Sequence, residues 1–350
     1  MNKIHLIALS CSAALVGCQS NDGKNTAVAD GFEQTNHQSQ AVYELQYHAA
    51  AQLEANAEQL NSAINGYCEQ KASLTDVQAR WQQAMHSWMA LQGQERGPTE
   101  ALDKSWAIQF WPDKKNTTGR KVSQLLATEA DWAQQGLSSQ SVAVQGLGAV
   151  EWMLYDDDSP LIQGDLKDGC GLALAMTQEV MINTQAIETA WQINPWKDID
   201  DKQWNAELVS LLSNQLEYAL KKMERPLAKV GQPRPYFAES WRSKTSLANI
   251  KYNIAAAQRL YLTSGSATSL DATLRASGHD QLADSITDQF ELALLTWPQE
   301  QGLFDLLQTK EGYQLTMAQY NKLEQLKYLI HEEAALALGV VVGFNATDGD

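Results

Sequence analysis

Gln145-Gly146-Leu147-Gly148-Ala149-Val150-Glu151-Trp152-Met153-Leu154-Tyr155 has the apolar spacing of a helix. Val144, Leu147, Glu151 and Leu154 recur at intervals of three, four and three, so they share one face, and its neighbours make that face an inward one. Glu151 therefore points where leucines point. A buried carboxylate is costly unless a cation, a metal, a proton or several hydrogen-bond donors meet it. Gly148 lies one turn earlier on the same side and leaves room there. A glycine inside a helix costs about 0.5–1 kcal/mol against alanine, so something should compensate. Two readings follow: a buried Glu–Arg pair with a glycine for close helix packing, or a ligand pocket.

Outward from this stretch the chain stays helical. Only 8 prolines occur in 350 residues, and no period-2 pattern of any length appears. Leu45, Ala49, Leu53, Leu60, Ile64 and Tyr67 hold one helical face, and Trp81, Met85, Trp88 and Met89 continue the style over 80–91. Further helices are predicted over 170–191, 204–227, 281–296 and 311–342. The fold class is all-α. Asn194-Pro195-Trp196-Lys197-Asp198 is the best boundary, giving bundles over 41–195 and 196–350. With 42 acidic residues against 26 basic ones, the net charge is −16. That balance disfavours nucleic acid and anionic membrane surfaces as partners.

Lys3 and His5 precede a short apolar run that ends in Leu15-Val16-Gly17-Cys18. The run is too short to span a bilayer and resembles a bacterial lipoprotein signal over 1–17, with Cys18 as the lipidated first mature residue. Residues 18–40 are polar and read as a flexible tether. The residues after Cys18 resemble those of lipoproteins forwarded to the outer membrane, facing the periplasm. Cys11 leaves with the signal, so Cys68 and Cys170 remain. In an oxidising compartment these most simply form one disulfide; two free buried thiols are the alternative.

The helical pattern breaks between Gly93 and Arg120. Gln94-Glu95-Arg96-Gly97-Pro98 and Phe110-Trp111-Pro112-Asp113 read as turns that present Arg96, Trp111 and Asp113 at element ends, with Arg120 soon after. Asp113 is equally well placed as a helix N-cap. Asp156-Asp157-Asp158 lacks the spacing of a calcium loop and reads as a solvated turn. Near Glu239–Asn249, Arg242, Ser246 and Asn249 form a polar stripe at helical spacing, beside Trp241 and Ser243; Arg242, then Arg120, is the expected partner of Glu151. The chain ends Gly343-Phe344-Asn345-Ala346-Thr347-Asp348-Gly349-Asp350, after an apolar run that a solvated tail does not need.

These segments together resemble the imelysin-like family. Gly146 and Glu151 match its Gly-x-His-x-x-Glu helix, with Gly148 in the histidine position; the Gly-Pro, Phe-Trp-Pro-Asp, Arg-Ser-x-x-Ser-Leu and Gly-Phe-Asn/Asp-Gly-Asp elements match around Pro98, Trp111, Arg242 and Asn345. The resemblance implies two helical bundles related by a rough repeat, with a pocket at their interface. Its ligand-binding set would be Arg96, Trp111, Asp113, Arg120, Gly148, Glu151, Trp241, Arg242, Ser243, Ser246 and Asn345. Glu151 and Asp113 would be the oxygen ligands for a metal. The peptidase M75 assignment of the family loses its zinc site with Gly148, since a His three residues before a Glu is the plausible metal pair. His331-Glu332-Glu333 lacks the second histidine of HExxH, and no serine elbow or Cys–His pair appears. The resemblance thus implies a binding protein rather than an enzyme, tied to iron acquisition and to iron-uptake envelope partners, with iron or an iron chelate as cargo. A metallopeptidase-related enzyme and a purely protein-binding lipoprotein are the alternatives.

Overall fold

The computed structural model describes residues 31–298 and 302–341. The signal, Cys18 and Asn345 lie outside them. Among the described residues the chain is helical, with no strand beyond an isolated Lys229–Gln232 bridge. The all-α expectation holds.

The first set of helices is α1 (Gln40–Cys68), α2 (Leu74–Trp88), α3 (Thr117–Leu126), α4 (Leu147–Tyr155) and α5 (Leu166–Ala190). α1 packs along both α2 and α5, burying Leu53, Ala57, Leu60 and Ile64. α2 opens with a capping box, in which Ser73 accepts from the Asp76 N–H and Asp76 accepts from the Ser73 N–H, satisfying two otherwise unpaired donors. It stops at Trp88, three residues short of the expected end, and Gly93 follows at φ 78° with its α-carbon against Tyr218. Cys68 and Cys170 form a disulfide that joins the end of α1 to the start of α5, as the cysteine count suggested.

The second set is α6 (Asp201–Leu227), α7 (Ser246–Leu262), α8 (Asp280–Leu295) and α9 (Lys310–Tyr328), with α6 packed on α7 and α9, and α8 on α9. α6 also begins in a capping box, Asp200 with Gln203. Beyond Tyr328 the helix runs on through a π-helical stretch, Leu329–Ala334.

Residues 32–39 do not behave as tether. Phe32 is buried against Tyr43 and Tyr47, Glu33 pairs with Lys197, and Ser39 bonds Asn194, so this segment straps the start of α1 to the 194–197 connection. The Phe32 ring, the Glu33–Lys197 pair and the Ser39–Asn194 bond together dock a stretch whose polar composition suggested otherwise. No described helix is long and apolar enough to cross a membrane.

Candidate functional site

α4 is short, but three neighbours fix it. It packs on α2, α3 and α5, and the Trp81 indole N–H donates to the Leu147 carbonyl. Gly146 precedes it, and a β-carbon there would lie 2.4 Å from the Ile108 carbonyl oxygen and 2.5 Å from that of Ala107. Only glycine permits this approach. At Gly148 the nearest atom to such a carbon is the Phe110 carbonyl oxygen, 4.0 Å away. Gly146 is thus filled by backbone, whereas Gly148 faces space.

That space is a cleft of about 710 Å³. One wall is the 109–124 segment, one is α4, and the third is the 236–242 loop from the second set of helices. Trp111, Trp152 and Trp241 give it aromatic surface. Lys114, Lys115 and Arg120 also line it, and none has an ion pair among the described residues.

Glu151 is buried at 5% exposure on the face its spacing predicted. Its partner is not an arginine. Oε1 accepts from the Ser243 N–H at 2.9 Å and from the Ser243 hydroxyl at 2.8 Å. Oε2 has no donor among the described residues, while the residue lines the cleft. Burial pushes the carboxyl pKa up, the two Ser243 bonds and the Arg242 charge pull against this, and Glu239 adds to the rise; the net direction is upward.

Arg242 instead forms an ion pair with Asp156, donates to Asn116 Oδ1 at 2.9 Å, and lies over the Trp241 ring at 4.3 Å. The predicted Glu151–Arg242 contact is therefore corrected. A chain turn causes the change. Ser240 and Lys244 take left-handed backbone, at φ 50° and 58°, so 240–245 is a tight turn and α7 begins only at Ser246. This turn aims Ser243 at Glu151 and Arg242 at Asp156, and it dissolves the supposed helical stripe. Arg120, the second expected partner, donates weakly to the Asn116 carbonyl and does not bond Glu151.

Asp113 caps α3. Its Oδ1 accepts from the Thr117 N–H at 2.6 Å and Oδ2 from the Thr118 N–H at 2.8 Å. Burial would raise its pKa, but these amide bonds outweigh burial and hold it below the usual carboxylate value. Both Asp113 oxygens are already engaged; the cleft-lining carboxylates left without a donor among the described residues are Glu151 Oε2, which is buried, and Asp158, which is exposed. Among the described residues no group of three or more His, Cys, Asp or Glu side chains is placed to hold a metal ion.

Of the predicted set, Trp111, Asp113, Arg120, Gly148, Glu151, Trp241 and Arg242 share the cleft, with Ser243 behind Glu151. Ser246 does not join them: it is fully buried and accepts from the Leu303 N–H at 2.9 Å. Arg96 lies elsewhere, 3.7 Å from Glu207 in a separate hollow beside Trp196.

Beneath the cleft lies a network that sequence reading missed. Lys222 and Glu239, at 0% and 1% side-chain exposure, form a buried ion pair between α6 and the 236–242 loop. The Lys222 ammonium also donates to Gln92 at 2.9 Å and Asn253 at 2.7 Å. Glu239 accepts from Gln92 at 2.7 Å, Gln109 at 3.0 Å and Asn249 at 3.2 Å. Burial pushes the lysine pKa down and Glu239 pushes it back up, with the net direction downward. Gln109 and Ser240, the latter bonded to Asn249, reach from this network to the cleft wall. Lys222 carried no signal, because it sits in a helix rich in charge; Asn249 did, as part of the polar stripe.

No curated protein sequence is similar enough to match the chain. Among solved structures, it resembles an imelysin-like protein from Psychrobacter arcticum 273-4, with 20% identity, 88% of this chain and 96% of the other covered, and a TM-score of 0.71. It also resembles a proposed iron-regulated protein A precursor from Parabacteroides distasonis ATCC 8503, with 14% identity, coverage of 86% and 96%, and a TM-score of 0.66. At such identities the likeness establishes the fold. The sequence profile of the imelysin family, peptidase M75, matches residues 45–330, and the chain belongs to that family.

Proposed function

We propose that this chain is a lipid-anchored binding protein of the bacterial envelope that takes an iron chelate into the cleft around Glu151 and does not turn it over. The supporting observation is the state of Glu151. One of its oxygens is held by Ser243 and the other has no donor among the described residues, at the wall of a 710 Å³ cleft. A bare cation would find too few protein oxygens here. A chelate that brings its own carboxylates would meet Lys114, Lys115 and Arg120 through its anionic groups, while Glu151 accepts a donor or completes the metal's coordination. The aromatic walls exclude water from part of such a ligand. A solved relative in fold carries the description of an iron-regulated precursor, which fits an envelope protein of iron supply.

Lipidation at Cys18, a position at the outer membrane facing the periplasm, and partnership with iron-uptake proteins complete the proposal; they rest on the sequence ahead of residue 31. A hydrolytic role is not part of it, since Gly148 supplies no side chain where a motif histidine would stand.

The test is thermal unfolding of the full-length protein with ferric citrate, citrate alone, zinc, calcium and haem, beside Glu151→Gln. Ferric citrate should raise the melting temperature of the parent and not of the variant. Equal shifts in both, or no shift with any of these compounds, would count against the proposal.

A further inference from the structure

A second cavity, of about 420 Å³, opens between α1, α2 and α7 and shares no lining residue with the cleft. His48 lines it from α1, His86 from α2, and Tyr252 and Arg259 from α7, over an apolar floor that includes Leu45 and Ala256. Its walls hold no aspartate or glutamate, in a chain whose net charge is −16. The Arg259 guanidinium has no ion pair or hydrogen bond among the described residues. Arg259, His48 and Tyr252 are exposed, so the hollow is open to solvent. The His86 ring stacks on Tyr252, with centroids 3.8 Å apart and planes 14° from parallel. Its Nε2 is buried and has no hydrogen-bond partner among the described residues.

An unpaired cation, an orphaned imidazole nitrogen and a stacked aromatic pair converge on one acid-free hollow. We propose that this hollow is a second binding site, selective for a small organic carboxylate with a planar apolar body. A carboxylate matches the guanidinium fork with two parallel hydrogen bonds, which a neutral group cannot do. The planar body lies against the His86–Tyr252 stack and the Leu45 and Ala256 side chains, surface that an inorganic anion would leave bare. Metal cations are disfavoured by Arg259 and by the lack of acidic walls. The volume suits a single small molecule.

The full-length protein, labelled with ¹⁵N-histidine, provides the test. The His86 ring signal is identified by its loss in His86→Gln, and the parent is titrated with sodium benzoate, benzamide and sodium sulfate. Benzoate moves the His86 signal to saturation, and benzamide, its neutral counterpart, binds roughly tenfold or more weakly. Arg259→Gln brings benzoate down to the level of benzamide. The proposal is overturned if benzoate leaves the signal in place, if benzamide binds as well as benzoate, or if sulfate moves the signal as strongly. It is equally overturned if Arg259→Gln binds benzoate like the parent. The benzoate–benzamide comparison needs no variant, so it stands even if Arg259→Gln folds poorly.

Discussion

Glu151 is held by a single residue, and that makes Ser243 the more informative position to change. Ser243→Ala removes the hydroxyl bond and leaves the amide bond to Oε1. A hydrogen bond to a charged group contributes about 1.5–3 kcal/mol, so chemical denaturation should show a loss of that order. A change within error would mean the carboxylate is held some other way. His86 supplies a pH dependence. Burial lowers its pKa from 6.5 to about 4, so between those values the unfolded chain binds a proton that the folded chain does not. Stability is therefore lost as pH falls from 6.5 toward 4. His86→Gln should flatten this part of the stability–pH curve, measured by urea unfolding across that window. An unchanged slope would contradict the assignment.

At the scale of elements, α4 owes its position to two glycines that do opposite things. Gly146→Ala drives a β-carbon into the Ile108 and Ala107 carbonyls, and overpacking of this kind costs about 1–3 kcal/mol. Gly148→Ala meets nothing nearer than 4.0 Å, and its stability should stay within about 0.5 kcal/mol of the parent or rise. Equal losses in the two variants would mean that α4 is not seated as described. The buried pair under the cleft gives a second contrast. Lys222→Met strands Glu239 and should cost roughly 3–5 kcal/mol, much of which Lys222→Met with Glu239→Gln recovers. A double-mutant cycle of denaturation midpoints reads this directly. The long helices were legible in the sequence because apolar spacing over many turns is unambiguous, as in α1 and α6. The 240–245 turn was not. Its left-handed residues are a serine and a lysine, neither of which announces such a backbone, so Ser243 takes the place at Glu151 expected of Arg242.

Over the whole molecule, the cleft exists because two sets of helices present short, irregular segments to one another. The inward face of α4 and the Trp111–Asp113 turn were readable from spacing and proline. The Lys222–Glu239 network was not, since its members come from separate elements and only folding shows that they are buried. The Cys68–Cys170 disulfide closes a loop of 102 residues. Replacing both cysteines by serine should cost about 2–5 kcal/mol in denaturant unfolding; an unaffected midpoint would show that packing of α1 on α5 needs no crosslink. The proposed anchor makes its own prediction: Cys18→Ala moves the protein from the membrane fraction to the soluble fraction of cells, whereas an unchanged distribution would refute lipidation at Cys18. The measurement that bears most directly on the cleft is calorimetric titration of ferric citrate into the parent and into Gly148→Leu. That variant leaves Glu151 and Ser243 in place and puts a side chain where there is now open space. Binding to the parent and its loss in a Gly148→Leu protein of parental stability is the predicted result; equal affinity in both would contradict a ligand seated at Glu151.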